Sequence, residues 1–195
     1  SKMKVCLERI DIVPLFHRIH RDFSGLARQK EITLSMSCPM EECRVYTDVD
    51  KFEKILFNLL SNAFKYTPEG KCVSFGLSMD GNNLMINVMD EGEGIDECQK
   101  SRMFARFETL GRRSKAPSSG IGLSLVKEIV AILHGSISVS SEIGRGSVFS
   151  VTLPVDYESF CNDSNVELML NDGNPGDRQC AAVTDKMTVI GSDRN

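Results

Sequence analysis

Long apolar runs are missing from this chain. No stretch approaches the roughly 20 residues that a membrane-spanning helix needs, and no secretory leader opens the sequence. A basic excess is missing too. The 27 acidic and 23 basic residues leave a net charge of −4, which gives no support to a nucleic-acid binder with its positive patch or stripe. Paired cysteine motifs are absent. The seven cysteines stand singly at positions 6, 38, 43, 72, 98, 161 and 180. An odd, scattered set is neither a disulfide frame nor a zinc site, and reads as reduced cytosolic thiols. No internal repeat is visible. What remains is an ordinary globular composition, 41% hydrophobic and 26% charged over 195 residues, ample for one domain with extras or two small ones. The abrupt start at Ser1–Lys4 reads as a piece cut from a longer protein.

The strongest periodic stretch is Lys51–Gly70. Phe52, Ile55, Leu56, Leu59, Leu60 and Ala63 recur at helical spacing and predict an amphipathic helix. Asp48 is placed to cap it, and Pro68 and Gly70 end it. Asn58, Asn62, Lys65 and Tyr66 gather on one side of that helix. Asparagine is a mediocre helix former. Two of them a turn apart point to amide oxygens with a task, such as ligating a hard cation, although a surface helix with incidental asparagines has the same pattern.

Around this helix the chain predicts short elements. Val5–Ile10 reads as a strand and Asp11 as the cap of a helix with Pro14 in its first turn. Glu31–Ser37 and Arg44–Thr47 read as strands. Cys72–Met79 and Asn83–Asp90 form a hairpin about Asp80-Gly81-Asn82-Asn83. Ile95–Ser119 is a long polar connection, of a length that is usually functional or disordered. A helix opens at Gly120-Ile121-Gly122 and closes at Gly135. Two more strands, Ser136–Ser140 and Ser147–Leu153, flank Gly144-Arg145-Gly146. Beyond Asp156 the periodicity is lost apart from the cluster Val166–Leu170, so residues 156–195 read as a linker or disordered tail after a domain of residues 1–155.

Two further patterns bear on chemistry. Asp90 ends a strand that carries Leu84, Ile86 and Val88 on one face, and a carboxylate at an apolar lip needs donors. The following Glu91-Gly92-Glu93-Gly94 lets backbone approach a flat ligand. An adenine offers an amine donor to that carboxylate, whereas guanine offers a carbonyl. A turn with an acidic cap yields the same letters. Gly120-Ile121-Gly122-Leu123 puts backbone N–H groups at a helix start, which is a phosphate seat or a tightly packed junction. It is not a dinucleotide fingerprint, because no strand leads into it, nor a Walker loop, because no Lys-Ser/Thr follows.

Taken in order, these motifs resemble the ATP-binding catalytic domain of sensor histidine kinases, within the Bergerat-fold superfamily. The resemblance runs from about Val5 to Pro154. It comprises an N box at Asn58–Tyr66, a first glycine box at Asp90–Gly94, an F box at Phe104-Ala-Arg-Phe107, a second glycine box at Gly120–Leu123, and a closing Gly144-Arg-Gly-Ser-Val-Phe149. It implies a two-layer α/β sandwich, a mixed sheet with helices on one face. It implies Mg²⁺ on Asn62, phosphates and ribose facing Asn58, Lys65 and Tyr66, with Asn58 and Lys65 in the catalytic set, and adenine read by Asp90. Gly92, Gly94 and Ile95 would border the base. Phe104 and Phe107 would anchor a lid that closes at Gly120, Ile121, Gly122 and Leu123. The intervening Glu108-Thr109-Leu110-Gly111 departs from the family's tyrosine and arginine after the F box.

The phosphate-accepting histidine is not in this chain. His17 and His20 are each followed by arginine and lie on a core-packing helix, and His134 sits at a helix end. The resemblance therefore implies a histidine-bearing dimerisation domain upstream of Ser1, with a receiver domain as a possible continuation downstream. It implies a homodimeric full-length protein, a monomeric isolated domain, and a cytoplasmic location, as part of a membrane-bound sensor. Two rival functions are a hydrolysing ATPase switch and a non-enzymatic nucleotide-binding module.

Overall fold

The computed structural model describes residues 3–105, 122–170 and 179–182. Alternation in the sequence becomes a five-stranded mixed sheet. Its strands are β2 (Thr33–Ser37), β4 (Cys72–Asp80), β5 (Asn83–Asp90), β6 (Ser136–Glu142) and β7 (Gly146–Pro154), in the order β2-β4-β5-β7-β6. β2 runs parallel to β4, and the other neighbours are antiparallel. One face of the sheet carries Val73, Phe75, Leu77, Leu84, Ile86, Val88, Phe149, Val151 and Leu153, all buried. Against it pack α1 (Ile12–Gln29), α2 (Val49–Tyr66) and α4 (Gly122–Ile132). The Phe16 and Phe75 rings meet at 4.7 Å across this layer. The other face presents small and polar side chains such as Ser74, Gly76 and Asn87. The expected two-layer sandwich with helices on one face is therefore the observed one.

A second sheet was not anticipated from the sequence. β1 (Val5–Asp11) pairs antiparallel with β3 (Arg44–Thr47) and parallel with β8 (Val166–Leu170), and β8 pairs with β9 (Gln179–Ala182). For residues 157–170 and 179–182 this corrects the reading of a linker or disordered tail, and the rest of residues 171–195 lies outside the described residues. Residues 157–170 fold back onto the domain, and the apolar cluster Val166–Leu170 is the strand that does so. Phe160, in a single 3₁₀ turn at Glu158–Phe160, is fully buried and stacks on His134 with ring centroids 4.9 Å apart. His134 also reaches the Ser159 carbonyl through Nδ1 at 2.9 Å and the Asp163 carboxylate through Nε2 at 2.8 Å. One aromatic anchor and two polar contacts thus hold a segment whose composition alone predicts little order.

Two local expectations change. The left-handed residue that ends α4 is His134, with φ of 58°, rather than Gly135. The Gly135 N–H bonds the Val130 carbonyl and the His134 N–H bonds that of Ala131, a Schellman closure. Within the connection read as Ile95–Ser119, a short helix α3 (Glu97–Arg102) forms behind a capping box of Asp96 and Gln99.

The burial of Phe160 yields a stability prediction. Phe160→Ala should lower the unfolding free energy by about 3 kcal/mol or more, the usual cost of emptying a buried phenylalanine site. Urea unfolding measures it. Truncation after Val155 should destabilise the domain for the same reason. Unchanged unfolding midpoints would mean that the docked segment carries no stability.

Candidate functional site

α2 is held at both ends. At its start, Asp48 accepts the Lys51 N–H at 3.1 Å and the Cys6 N–H at 2.9 Å, and pairs with the Lys51 ammonium at 2.6 Å. The cap therefore ties the helix to β1. At its end, the Tyr66 carbonyl lies against the loop that follows β5. A Cβ added to Gly92 would sit 2.6 Å from that carbonyl oxygen, so only glycine lets the loop approach. Gly94 adopts φ of +74°, and a Cβ there would collide with the Glu142 carbonyl. The turn between β6 and β7 grips the loop from this side, where the Gly144 N–H bonds the Glu93 carbonyl at 2.8 Å.

These contacts frame a small cleft beside the loop that follows β5. From the expected set, Asn62, Tyr66, Asp90, Gly94 and Ile95 line it. Asp90 is 7% exposed. Its Oδ1 accepts the Gly92 N–H at 2.9 Å. Burial raises its pKa above the ordinary carboxylate value, against the opposing pull of the Gly92 and Ser147 backbone amides. Tyr66 is shifted upward by burial and then by Glu93. Lys65 lies beside the Tyr66 ring, 5.2 Å from its centroid, and partial burial lowers its pKa.

The remaining expected residues divide. Asn58 does not line the cleft. Its Nδ2 donates to the Lys54 carbonyl at 2.7 Å, and its Oδ1 lies 2.8 Å from where a Cβ on Gly122 would stand. It thus meets the start of α4, which brings the N box and the second glycine box together. Leu123 is buried in the core and Gly92 braces the loop. Phe107, Gly120 and Ile121, with the rest of residues 106–119, lie outside the described residues.

Sequence reasoning missed Ala63, Glu93, Gln99, Ser147 and Phe149, which also line the cleft. The Asp96-x-x-Gln99 signature was available for Gln99. Ser147 faces Asp90 in the β5–β7 register, which only the pairing reveals. Among the described residues no group of three or more His, Cys, Asp or Glu stands ready to hold a metal. The oxygen donor of Asn62 suits a cation that keeps most of its coordination for water and phosphate, as Mg²⁺ does. Among the described residues no helix is long and apolar enough to cross a membrane.

Residues 47–157 match the family model described as histidine kinase-, DNA gyrase B-, and HSP90-like ATPase. Over 159 residues the chain is 39% identical to the sensor histidine kinase TmoS of Ectopseudomonas mendocina, covering 80% of this chain and 16% of that protein. It is 32% identical to hybrid signal transduction histidine kinase D of Dictyostelium discoideum, covering 85% of this chain and 12% of that protein. The chain thus spans a small part of these relatives. The crystal structure of full-length ShkA in complex with AMPPNP superposes with a TM-score of 0.69 at 26% identity, over 80% of this chain and 32% of that one. The nucleotide-free catalytic domain of histidine kinase ThkA gives a TM-score of 0.67 at 23% identity, over 76% of this chain and 95% of that one, a likeness of fold.

The raised pKa of Asp90 sets a pH dependence. In the ligand-free domain the folded state keeps a proton that the unfolded state has already released. That contribution to stability is present below the unfolded pKa and is lost as pH rises through the folded one. Wild-type stability relative to Asp90→Asn should therefore fall with rising pH. Urea unfolding of both proteins from about pH 3 to about pH 8 brackets the carboxylate range. A difference that stays flat or rises with pH would contradict the shift.

Proposed function

The chain belongs to the histidine kinase-, DNA gyrase B-, and HSP90-like ATPase family, and from that premise we propose that it binds Mg-ATP and passes the γ-phosphate to a histidine on another domain. The observation that carries this reading is the Asp90 carboxylate, buried beside a loop that only glycine permits. The exocyclic amine of adenine donates to that carboxylate, and the carbonyl of guanine in the same place is repelled. Asn62 holds Mg²⁺, which, when bound, offsets the charge of the phosphates it shares. Tyr66 and Lys65 lie one turn along the same helix, toward ribose and phosphates. Gly122 and the start of α4 supply N–H groups for the phosphate end.

Transfer rather than hydrolysis follows from Asn58. An amide does not accept a proton at neutral pH, so it is no general base for water. The nearest acid behind it on the helix, Glu53, is paired with Arg18. An imidazole nitrogen needs less activation, because its lone pair is already nucleophilic. The histidine belongs to a dimerisation domain of the full-length protein, which acts as a homodimer in two-component signalling. A receiver domain beyond residue 195 is the corresponding downstream partner. The domain works in the cytoplasm, as part of a membrane-bound sensor.

Radiolabelled ATP, mixed with this domain and a separate histidine-bearing helical domain, should label the latter. Asp90→Asn should weaken ATP binding by more than about tenfold, the worth of one charge-assisted hydrogen bond. Calorimetry measures it, and parent-like affinity would show that the base is read elsewhere. The isolated domain should release phosphate far more slowly than about 1 per second, the low end of ordinary turnover. Sustained release at that rate would favour the hydrolysing switch.

A further inference from the structure

Ser141 lies on β6, outside the residues that line the cleft, yet three hydrogen bonds converge on its hydroxyl. Ser141 Oγ accepts the Ile95 N–H at 2.8 Å, donates to the Gly146 carbonyl at 2.8 Å, and lies 2.9 Å from Ser147 Oγ. The arrangement fixes every proton. A hydroxyl has one proton and two lone pairs. The Ile95 amide only donates and the Gly146 carbonyl only accepts. The Ser141 proton is therefore committed to Gly146, and Ser147 must donate its own proton to Ser141.

We infer that Ser141 is a positioning residue: it holds the Ser147 hydroxyl with lone pairs toward the cleft, and so sharpens the choice of an amine-bearing base. Ser147 lines the cleft next to Asp90, and both are over nine-tenths buried. An ionised carboxylate is acceptor-only as well. Two adjacent acceptors favour a ligand edge bearing an N–H₂ group, whose two protons serve both. They oppose a carbonyl at that edge, because little water is at hand to screen the repulsion. Without Ser141 the Ser147 hydroxyl rotates freely and offers its proton to a carbonyl. This rests on the nucleotide reading above.

Loss of Ser141 also frees the Ile95 N–H, which loosens the loop after β5 and weakens every nucleotide alike. The informative readout is therefore a ratio. Inosine triphosphate has a carbonyl where ATP has its amine. Dissociation constants for both, by calorimetry, give the preference of wild type, Ser141→Ala, Ser141→Cys, Ser141→Thr, Ser147→Ala and the double variant Ser141→Ala/Ser147→Ala. Wild type should prefer ATP. The preference should fall about three- to tenfold in Ser141→Ala, the range of one neutral hydrogen bond. Ser141→Cys, nearly the same size with a weak donor, should follow it even where the alanine variant folds poorly. Ser141→Thr should restore the preference. Removing Ser141 from the Ser147→Ala background should change the preference no further, because one residue acts through the other.

An equal loss for both nucleotides in Ser141→Ala and Ser141→Cys would overturn the inference while leaving the nucleotide reading intact. It would mean that Ser141 only braces the loop. A wild-type domain that binds neither nucleotide would overturn both.

Discussion

A carboxylate cannot be buried at the end of a strand unless the surrounding backbone closes on it, and Asp90 imposes that requirement on the whole molecule. β4 and β7 flank it in register, with Val73 on one side and Ser147 on the other. The chain then turns against α2 at Gly92 and against the β6–β7 turn at Gly94. Gly146, on the opposing strand, lies so near that a Cβ there would strike the Asp90 carbonyl. A slip of one residue in the β5–β7 register would turn Asp90 to the outer face of the sheet. Register, glycine placement and the approach of the helix therefore express one constraint.

The second sheet serves the same end from a distance. Asp11 and Asp48 each cap a helix and also bind an amide of the second sheet or of the residue that leads into it. Asp11 accepts from Val13 and Cys43, and Asp48 from Lys51 and Cys6. The Asp48–Lys51 pair is largely buried, with side chains 5% and 13% exposed. A buried pair adds little net stability over a well-packed apolar pair, but it is costly to break. Its effect here is to fix where α2 begins relative to β1. Eighteen residues of helix then carry that position to Tyr66 at the rim of the cleft.

The three long helices and the central sheet were legible in the sequence because each obeys one strong period. The site was legible where backbone chemistry demanded a residue type, as at Asp90, Gly92 and Gly94. It was not legible where three-dimensional pairing supplied the meaning. Ser141 and Ser147 are ordinary strand serines until the hairpin and the Ile95 loop bring them together. β8 is a five-residue apolar cluster with no clear period, and only a parallel partner in β1 and the Phe160 anchor make it a strand. His134 illustrates the same limit at single-residue scale. Glycine is the usual left-handed helix terminator, but here the close approach of β7 claims Gly135, and the histidine before it takes the strained position while its ring holds the returning segment.

The face of α2 also shows what spacing alone leaves open. Asn58 and Asn62 are one turn apart, which reads as a shared ligand set. In the structure they separate, Asn62 toward the cleft and Asn58 toward Gly122 at the start of α4. Four residues of helix advance about 6 Å along the axis, enough to set the two amides against different neighbours. On the reading proposed above, Asn62 takes the cation shared with the phosphates, and Asn58 meets the helix start that faces them. A carboxylate in place of Asn58 would set a proton acceptor at the helix start that receives phosphate, and would favour attack by water there. A neutral amide, whose nitrogen is already spent on the Lys54 carbonyl, is itself no base there. On the reading proposed above, the nucleophile is brought by another domain.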